Sequence, residues 1–290
     1  MLSTPSAGFR LTTSDRFLAP RVAVVEYFEG FVNRVEKNCW VVDLGLTPYA
    51  PACELQRELV EARKANAIPD VLLFCEHPHV ITLGRNGKRE NLRANDRLLA
   101  QMQVEFHVTD RGGDITYHGP GQIVAYPILD LAEHRRDIRW YVEQLEETMI
   151  RATRDFGIEA HRVPGKHGIW VASANGSAAA EEKLAALGVH LSRWVTSHGF
   201  AYNVSTDLRY FDLIVPCGIP DARSTSLERI LGGPVKTAEA KARLSAHFAD
   251  VFGYSLTSVS PGELEATLAS GRRNVMEPIA VAVRDSSAAL

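Results

Sequence analysis

The sequence predicts an α+β fold: a single large domain with a mixed, largely antiparallel sheet. Apolar segments of strand length and amphipathic segments of helix length follow one another without regular βαβ alternation, and no Pro/Gly linker divides the 290 residues cleanly. A composition of 46% hydrophobic and 23% charged residues is that of a globular chain. We predict a leader or poorly ordered arm over residues 1–36, the folded domain over 37–255 and a C-terminal tail over 256–290.

The elements of this domain follow from hydrophobic periodicity and from breaks at glycine and proline. Segment 40–46 predicts a strand, and 50–65 predicts a helix because Leu55, Leu59 and Ala62 recur at helical spacing. The best amphipathic pattern, at 138–156, predicts a second helix. Further strands are predicted at 70–75, 80–83, 104–108, 122–129, 168–172, 183–190 and 200–204, and further helices at 94–102, 227–231 and 238–252.

The densest group of glycines and polar residues lies just before the strand at 122–129. Residues 110–122 read DRGGDITYHGPGQ, with four glycines, Arg111 and His118. Glycines permit sharp turns and let a ligand approach main-chain N–H groups closely. The segment therefore predicts a loop, either a tight turn or a ligand-binding one. Its spacing matches neither the dinucleotide-binding nor the P-loop motif, so a nucleotide phosphate site of these kinds is not predicted.

Cys217 is the candidate nucleophile among the four cysteines. It lies in the segment IVPCGIP, whose prolines and glycine predict a loop. Cys39, Cys53 and Cys75 lie in or beside predicted strands and helices, and we expect them in the core. For Cys217 too, a buried structural thiol is the alternative interpretation.

A nucleophilic thiol needs a nearby cation or base, because an ordinary cysteine is mostly protonated at pH 7. The candidates are Lys183, His118, His167 and His198. Lys183 opens the apolar run KLAALGV. Its ammonium group would favour the thiolate if it were desolvated, and would extend into water if it lay at a strand edge.

Composition and motifs exclude several other classes of function. A net charge of −3 gives no general attraction to nucleic acid or to an anionic membrane. Neither a membrane-spanning run nor a secretory signal is visible, so we expect a cytoplasmic protein. His77-Pro78-His79 is not expected to bind a metal, since no carboxylate or second cysteine stands at ligand spacing. The basic cluster within 85–93 predicts a solvated loop or a local surface for an acidic partner.

Five segments, in order and at similar spacing, resemble the lipoyl(octanoyl) transferase family. They are HPHVITLGR at 77–85, RGGDITYHGPGQ at 111–122, KLAALGV at 183–189, SHGFAYNV at 197–204 and PCGI at 216–219. The resemblance implies that residues 37–255 are an octanoyltransferase catalytic domain with the fold of lipoate and biotin protein ligases. Residues 164–182 and the leader 1–36 depart from the family pattern.

The resemblance implies a two-stage acyl transfer with no cofactor and no metal. The octanoyl group passes from octanoyl-acyl carrier protein to the thiol of Cys217, whose pKa Lys183 lowers. It then passes to a lysine of a lipoyl domain, in acyltransferase subunits of 2-oxoacid dehydrogenases or in glycine cleavage H protein. The residues implied to contact the acyl substrate are Arg111, Gly112, Gly113, Asp114, Ile115, Thr116, Tyr117, His118, Ala186, Leu187, Gly188, Gly199, Phe200 and Ala201.

An eight-carbon chain needs an apolar slot, and we expect the small residues Ala186, Gly188 and Gly199 to leave room for it. The backbone N–H groups of Gly112, Gly113 or Cys217 are candidates for holding a tetrahedral oxyanion. Two alternatives stay open: an ATP-dependent lipoate or biotin protein ligase on the same scaffold, and a non-catalytic acyl-binding module in which Cys217 is structural.

Overall fold

The structure is a computed structural model, and it describes residues 37–173, 181–215 and 223–276. The strands in these ranges are β1 (Lys37–Leu46), β2 (Asp70–Glu76), β3 (Val80–Leu83), β4 (Glu105–Val108), β5 (Ile115–His118), β6 (Gln122–Ile128), β7 (Ala160–Val163), β8 (Lys166–Ala172), β9 (Glu181–Ser192), β10 (Val195–Asn203), β11 (Arg223–Ser224) and β12 (Tyr254–Ser258). The helices are α1 (Tyr49–Lys64), α2 (Asp96–Gln101), α3 (Ile138–Arg154), α4 (Leu227–Leu231), α5 (Thr237–Phe252) and α6 (Pro261–Met276).

Nine of the described strands form the main sheet, in the order β12-β1-β2-β6-β10-β9-β8-β7, with β11 beside the first residues of β9. β1 is parallel to both of its neighbours, β12 and β2. From β2 through β6, β10, β9 and β8 to β7, each pair is antiparallel. The predicted α+β fold with a mixed, largely antiparallel sheet is therefore confirmed.

Each face of the main sheet has its own core, because successive strand residues point to opposite faces. On β2, Leu72 and Phe74 pack in the cluster that contains α3 and α5. Val71 and Leu73, which alternate with them, pack in the cluster that contains α1 and α6. Helices α3 and α5 thus cover one face of the sheet, and α1 and α6 cover the other.

The strands β4, β3 and β5 form a separate three-stranded sheet, in which β3 is parallel to β4 and antiparallel to β5. Ile81, Ile115 and Tyr117 belong to the core of this small sheet. The loop between β4 and β5 reaches the main sheet, where the N–H of Gly112 donates to the carbonyl of Val189 on β9 over 2.9 Å. This contact ties the small sheet to β9.

Most predicted elements are confirmed, with their ends shifted by a few residues, but the loop predicted before residue 122 needs correction. It contains β5, whose four residues pair with β3 and are followed closely by Gly119 and Gly121. The strand β7 was not predicted either, because its exposed His161 and Arg162 give it no apolar pattern. β5 depends on a partner strand that is distant in sequence, and β7 depends on its pairing with the neighbouring β8.

The boundary predicted at residue 255 falls inside β12, which pairs with β1. Beyond it, α6 buries Leu264 and Leu268 in the cluster beneath α1. The predicted arm over 1–36, the end of the chain from 277 and the segment 174–180 lie outside the described residues. No helix in the described part of the chain combines the length and the apolar character that crossing a membrane requires.

Candidate active site

A cavity of about 330 Å³ lies between the main sheet and the small sheet with its glycine-rich loop. The main sheet contributes residues of β6, β9 and β10, and the small sheet contributes β5. Of the residues that the sequence singled out, the candidate bases His167 and His198 line this cavity, and so do Arg111, Gly113, Asp114, Ile115, Thr116, His118, Lys183, Ala186, Leu187, Gly188, Gly199, Phe200 and Ala201. The fold therefore brings three distant segments of the chain to one cavity, which we name the acyl cavity because it is the candidate acyl site.

Lys183 lies at one end of the acyl cavity, on β9 between β8 and β11. The residue is 6% exposed, and its ammonium group lies 4.7 Å from the centre of the Trp170 ring on β8. On the other side, Ser224 of β11 pairs with Lys183, and the N–H of Thr225 donates to the Lys183 carbonyl over 2.9 Å. The burial excludes the alternative in which this ammonium group extends into water.

Cys217 lies outside the described residues, but both neighbouring segments of the chain are described. On the N-terminal side, the N–H of Val215 donates to the carbonyl of Asn91 over 2.7 Å. On the C-terminal side, Arg223 and Ser224 pair with Glu182 and Lys183. The described chain therefore stops at Val215, which is attached to the loop 85–93, and resumes beside Lys183.

The carboxylate of Asp114 holds the loop 85–93, to which Val215 is attached. It accepts hydrogen bonds from the main-chain N–H groups of Lys88 (3.2 Å) and Ile115 (2.7 Å), and from the side-chain amide of Asn91 (2.6 Å). Asn91 in turn holds Val215 through its carbonyl. Asp114 thus acts on the candidate site by fixing the loop 85–93 against the glycine-rich segment.

Arg111 is a buried guanidinium at 8% exposure, held by hydrogen bonds to Thr82 and to its own loop. It donates to the Thr82 hydroxyl from Nε (3.1 Å) and from a terminal nitrogen (2.9 Å). It also donates to the carbonyls of Thr82 (2.7 Å) and Gly112 (3.0 Å). These bonds fix the guanidinium in the lining of the acyl cavity, because its planar set of donors matches several acceptors at once.

His118 is a neutral imidazole, and burial is the main reason. Its Nδ1 donates to Oε1 of Gln122 over 2.8 Å, because the amide nitrogen of Gln122 already donates to the carbonyl of Tyr117 and to Oδ1 of Asn203. Burial, reinforced by nearby His77 and the Arg111 charge, lowers the pKa of His118 to about 3. A neutral ring is compatible with an apolar ligand, since no charge has to be desolvated.

The glycines of the site permit close contacts between backbones more than they create space. A Cβ atom on Gly188 would lie 2.6 Å from the carbonyl oxygen of Gly112, and one on Gly199 would lie 2.1 Å from that of Ala125. These two positions therefore require glycine chiefly because another backbone segment lies close by, and not because a ligand needs the space. The N–H of Gly112 already donates to Val189, which removes it from the candidate oxyanion donors.

Two of the predicted contact residues lie away from the lining of the acyl cavity. Gly112 faces Val189, as described above. Tyr117 alternates with Thr116 and His118 along β5, so its ring points into the core of the small sheet. There its hydroxyl is 2.7 Å from Nδ1 of His79 and its ring stacks on Tyr210. This contact of His79 and the bonds of His77 to Thr47 and Tyr126 give both histidines partners within the protein.

Sequence reasoning missed Tyr49 and Tyr126, and it treated His198 only as a candidate base. All three line the acyl cavity. His198 has a left-handed backbone (φ +55°), and its Nε2 lies 2.8 Å from a carboxylate oxygen of Asp110. The pKa of Asp110 is strongly lowered, chiefly by this hydrogen bond. Tyr49 and Tyr126 carry the apolar pattern of ordinary core residues, so no sequence signal marks them.

Sequence comparison matches this chain to one family profile and to relatives that share one name. The sequence profile of the lipoyl protein ligase A/B catalytic domain matches residues 48–249. An octanoyltransferase of Solibacter usitatus is 50% identical over 220 residues, which cover 76% of this chain and 96% of that relative. An octanoyltransferase of Acidobacterium capsulatum is 49% identical over 240 residues, covering 79% of this chain and 97% of that relative.

Among solved structures, the bipartite lipoate protein ligase of Thermoplasma acidophilum has a similar fold. It superposes with a TM-score of 0.61 at 16% sequence identity, covering 82% of this chain and 92% of that one. A lipoate-protein ligase A bound with ATP gives a TM-score of 0.59 at 13% identity, covering 82% of this chain and 94% of that one. At these identities the likeness concerns the fold alone.

Proposed function

The chain belongs to the lipoyl protein ligase A/B catalytic-domain family and is an acyltransferase, and we propose that it transfers octanoyl groups from octanoyl-acyl carrier protein to lipoyl domains through a thioester on Cys217. The identities of 49 and 50% to octanoyltransferases support octanoyl as the group transferred. Donor, intermediate and acceptor are the parts of this proposal that experiment has to test.

The observation that carries the proposal is the buried Lys183 at the end of the acyl cavity. Cys217 is two residues beyond Val215, and seven residues before Ser224, which pairs with Lys183. The chain that follows the Cys217 segment is therefore held beside Lys183. A cation held in this region with little contact to water favours the thiolate of a nearby cysteine, and so lowers the pKa of its thiol.

The other three cysteines fit a nucleophilic role badly. Burial raises the pKa of the Cys39 and Cys75 thiols, and both residues are fully buried. Burial also raises the pKa of the half-buried Cys53. A raised pKa leaves less of the reactive thiolate at neutral pH.

The reaction then has two balanced steps. In the first, the Cys217 thiolate attacks the thioester carbonyl of the octanoyl-carrier protein; the bond from that carbonyl carbon to the pantetheine sulfur breaks, and the released thiolate takes up a proton. In the second, the amine of a lipoyl-domain lysine attacks the new thioester, loses a proton and forms an amide, while the Cys217 thiolate leaves. One thioester replaces another and the amide is more stable, so the proposed sequence consumes no ATP.

The acyl cavity suits the tail of this substrate. Val124, Ala186, Phe200 and Ala201 give it apolar walls, and neutral His118 adds no charge. Each CH₂ that leaves water contributes about 0.8 kcal/mol, so a tail of this length gains several kcal/mol on entering. The acceptors we propose are lipoyl domains of 2-oxoacid dehydrogenase acyltransferase subunits and glycine cleavage H protein, and the compartment we propose is the cytoplasm.

Intact-mass measurement after incubation with octanoyl-acyl carrier protein tests the intermediate. We expect one octanoyl adduct on the wild-type protein, lost on Cys217→Ala and retained on Cys53→Ala, which removes the half-exposed thiol instead. Adding a lipoyl domain should discharge the adduct and increase the mass of that domain by one octanoyl group.

Two results would contradict the proposal. An adduct that persists on Cys217→Ala would assign the thioester to another residue. Octanoylation of the lipoyl domain that requires ATP and free octanoic acid, with release of pyrophosphate, would show a ligase instead.

A further inference from the structure

A second cavity adjoins the acyl cavity, and two residues line both. Tyr49 and His198 line the acyl cavity of about 330 Å³ and also a cavity of about 610 Å³ next to it. These two side chains therefore form the partition between the cavities, which we name the wall.

The wall lies at the end of the acyl cavity opposite to Lys183. Along β10, Ala201, Gly199 and His198 pair in turn with Ala186, Gly188 and Val189 of β9. At about 3.4 Å per strand residue, the lining from Lys183 to Gly188 extends roughly 17 Å. A chain anchored beside Lys183 and running along these strands therefore meets Tyr49 and His198 with its methyl end.

The length of this span suits one medium-length chain. An extended octanoyl group has seven C–C bonds of about 1.5 Å, which project to roughly 9 Å along the zigzag chain. An octanoyl group therefore fits within this span, and the remaining length is left for the thioester group. A chain longer by four carbons would need the space that the wall occupies.

Both side chains of the wall are held in place. Tyr49, in the first turn of α1, is 4% exposed; its hydroxyl lies 3.2 Å from the Thr109 hydroxyl and its ring stacks on His118. His198 is fixed by Asp110 through its ring, and its N–H donates to the side-chain oxygen of Gln56 over 2.8 Å. Contacts from α1, β10 and the glycine-rich loop thus converge on the wall.

The cavity behind the wall is more polar than the acyl cavity. Arg57, Lys64, His107 and Asp110 line it, together with Ser192 and Ser197. A chain that passed the wall would have to place methylene groups among these polar groups, which lose hydrogen bonds to water when apolar atoms cover them. The position of the wall and the polarity of the cavity behind it therefore both disfavour an acyl chain longer than octanoyl.

We propose that Tyr49 and His198 determine acyl-chain length by closing the distal end of the acyl cavity. This inference rests on the proposed function, because it takes the thioester to be anchored near Lys183. It assigns to Tyr49 a role in choosing among acyl groups, with no part in the bond-making steps.

The test compares acyl-carrier proteins loaded with octanoyl, decanoyl, dodecanoyl and tetradecanoyl groups. The wild-type protein should form the Cys217 adduct fastest with octanoyl. In Tyr49→Ala, the rate ratio of dodecanoyl to octanoyl should rise roughly tenfold or more, since the opened space accepts further methylene groups. Tyr49→Leu, which keeps part of the bulk, should give an intermediate ratio.

Phe252→Ala is the matched control. Phe252 is a similarly buried aromatic residue at 7% exposure; it is the last residue of α5 and packs against Tyr141 of α3, on the other face of the sheet. Its truncation loosens the core without touching the wall, so the ratio should keep its wild-type value. Cys53→Phe, which refills the second cavity, should restore the octanoyl preference when added to Tyr49→Ala.

Calorimetric binding of octanoic and dodecanoic acids separates failure of the wall from failure of the proposed function. With Cys217→Ala as the background, Tyr49→Ala should shift affinity toward dodecanoic acid whether or not a thioester ever forms. If folded Tyr49→Ala kept the wild-type fatty-acid affinities and the wild-type rate ratio, the proposal that Tyr49 and His198 limit chain length would be wrong. If the wild-type protein formed no adduct but Tyr49→Ala still shifted affinity toward dodecanoic acid, the proposed function would be wrong. The role of Tyr49 and His198 in limiting chain length would then still hold.

Discussion

Two lysines contact the same indole ring, and they make a controlled comparison possible. The ammonium groups of Lys183 and Lys166 lie 4.7 and 5.0 Å from the centre of the Trp170 ring, and both residues line the acyl cavity. Only Lys183 is buried, and only Lys183 lies beside β11, the strand that follows the Cys217 segment. The positions of the two residues therefore separate a specific effect on the thiol from a general effect of positive charge.

We expect Lys183→Ala to remove the reactivity of Cys217 at low pH. Each unit by which the thiol pKa rises lowers the thiolate fraction about tenfold below that pKa, so alkylation near pH 6 should slow by about that factor or more. The measurement is the iodoacetamide alkylation rate of Cys217 against pH. Lys166→Ala should keep the wild-type profile; coincident profiles for Lys183→Ala and wild type would remove Lys183 from this role.

The buried His118 links stability to pH. Its folded-state pKa of about 3 lies below the value of roughly 6.5 for an unfolded histidine. Between these two pH values the unfolded chain binds a proton that the folded chain does not bind. The free energy of unfolding therefore rises as pH increases through this range and falls as pH decreases. In His118→Asn, which can keep the hydrogen bond to Gln122, the rise between about pH 4 and pH 6 should be smaller. Urea unfolding at several pH values measures the slope, and parallel wild-type and variant curves would contradict this assignment.

At the scale of elements, α6 shows how much stability the C-terminal part adds. Leu264 is 1% exposed in the cluster shared with α1, whereas Glu265 on the same helix has an exposed side chain. Leu264→Ala should lower the free energy of unfolding by about 2–5 kcal/mol, because it leaves a cavity between α6, α1 and the sheet. Glu265→Ala should stay within about 0.5 kcal/mol of wild type. Equal effects in thermal or urea unfolding would show that α6 does not pack as described.

The sequence could predict those elements whose residues carry their own pattern. Helix α3 has an unbroken apolar face, and β2 and β6 are almost continuously apolar, because both faces of these strands are covered. The short strand β5 was missed because four residues show little periodicity, and its partner β3 lies more than thirty residues away. The helix α6 alternates small and polar residues, so its burial depends on α1 and not on a strong pattern of its own.

The candidate site likewise contains residues that the sequence could locate and residues that it could not. Motif segments located Lys183, Arg111 and the β9 and β10 lining, and the structure places them around one cavity. Tyr49 could not be located, because it enters the site only through the packing of α1 against β10 and the glycine-rich loop. Which side chain of β5 faces the cavity also follows from pairing with β3, and so Tyr117 falls outside the lining.

For the whole molecule, a net charge of −3 hides an uneven distribution of charge. Arg85, Lys88, Arg89 and Arg93 are exposed on the loop whose Asn86 lines the acyl cavity. An acidic carrier protein delivering its thioester to this cavity would pass close to these charges.

Lys88→Glu should therefore raise the KM for octanoyl-carrier protein roughly two- to fivefold at low salt, the effect of losing or reversing an exposed charge contact. It should leave the KM for a small thioester such as octanoyl-pantetheine unchanged. Lys236→Glu, at the start of α5 on the opposite face of the main sheet, carries the same change of charge and should affect neither. Equal increases for both donors, or for both variants, would argue against docking at this loop.

The pairing of β1 with β12 also bears on how the protein is made. Lys37 lies beside Tyr254 in a parallel register, and the five pairs from there to Val41 and Ser258 cannot form until almost all described residues have been synthesised. Contacts between such distant residues give the fold a high contact order, which slows folding because a long loop must close first. During translation, the edge of β1 stays without its last partner while the rest of the sheet assembles, so the emerging chain is exposed to aggregation at that edge until β12 leaves the ribosome.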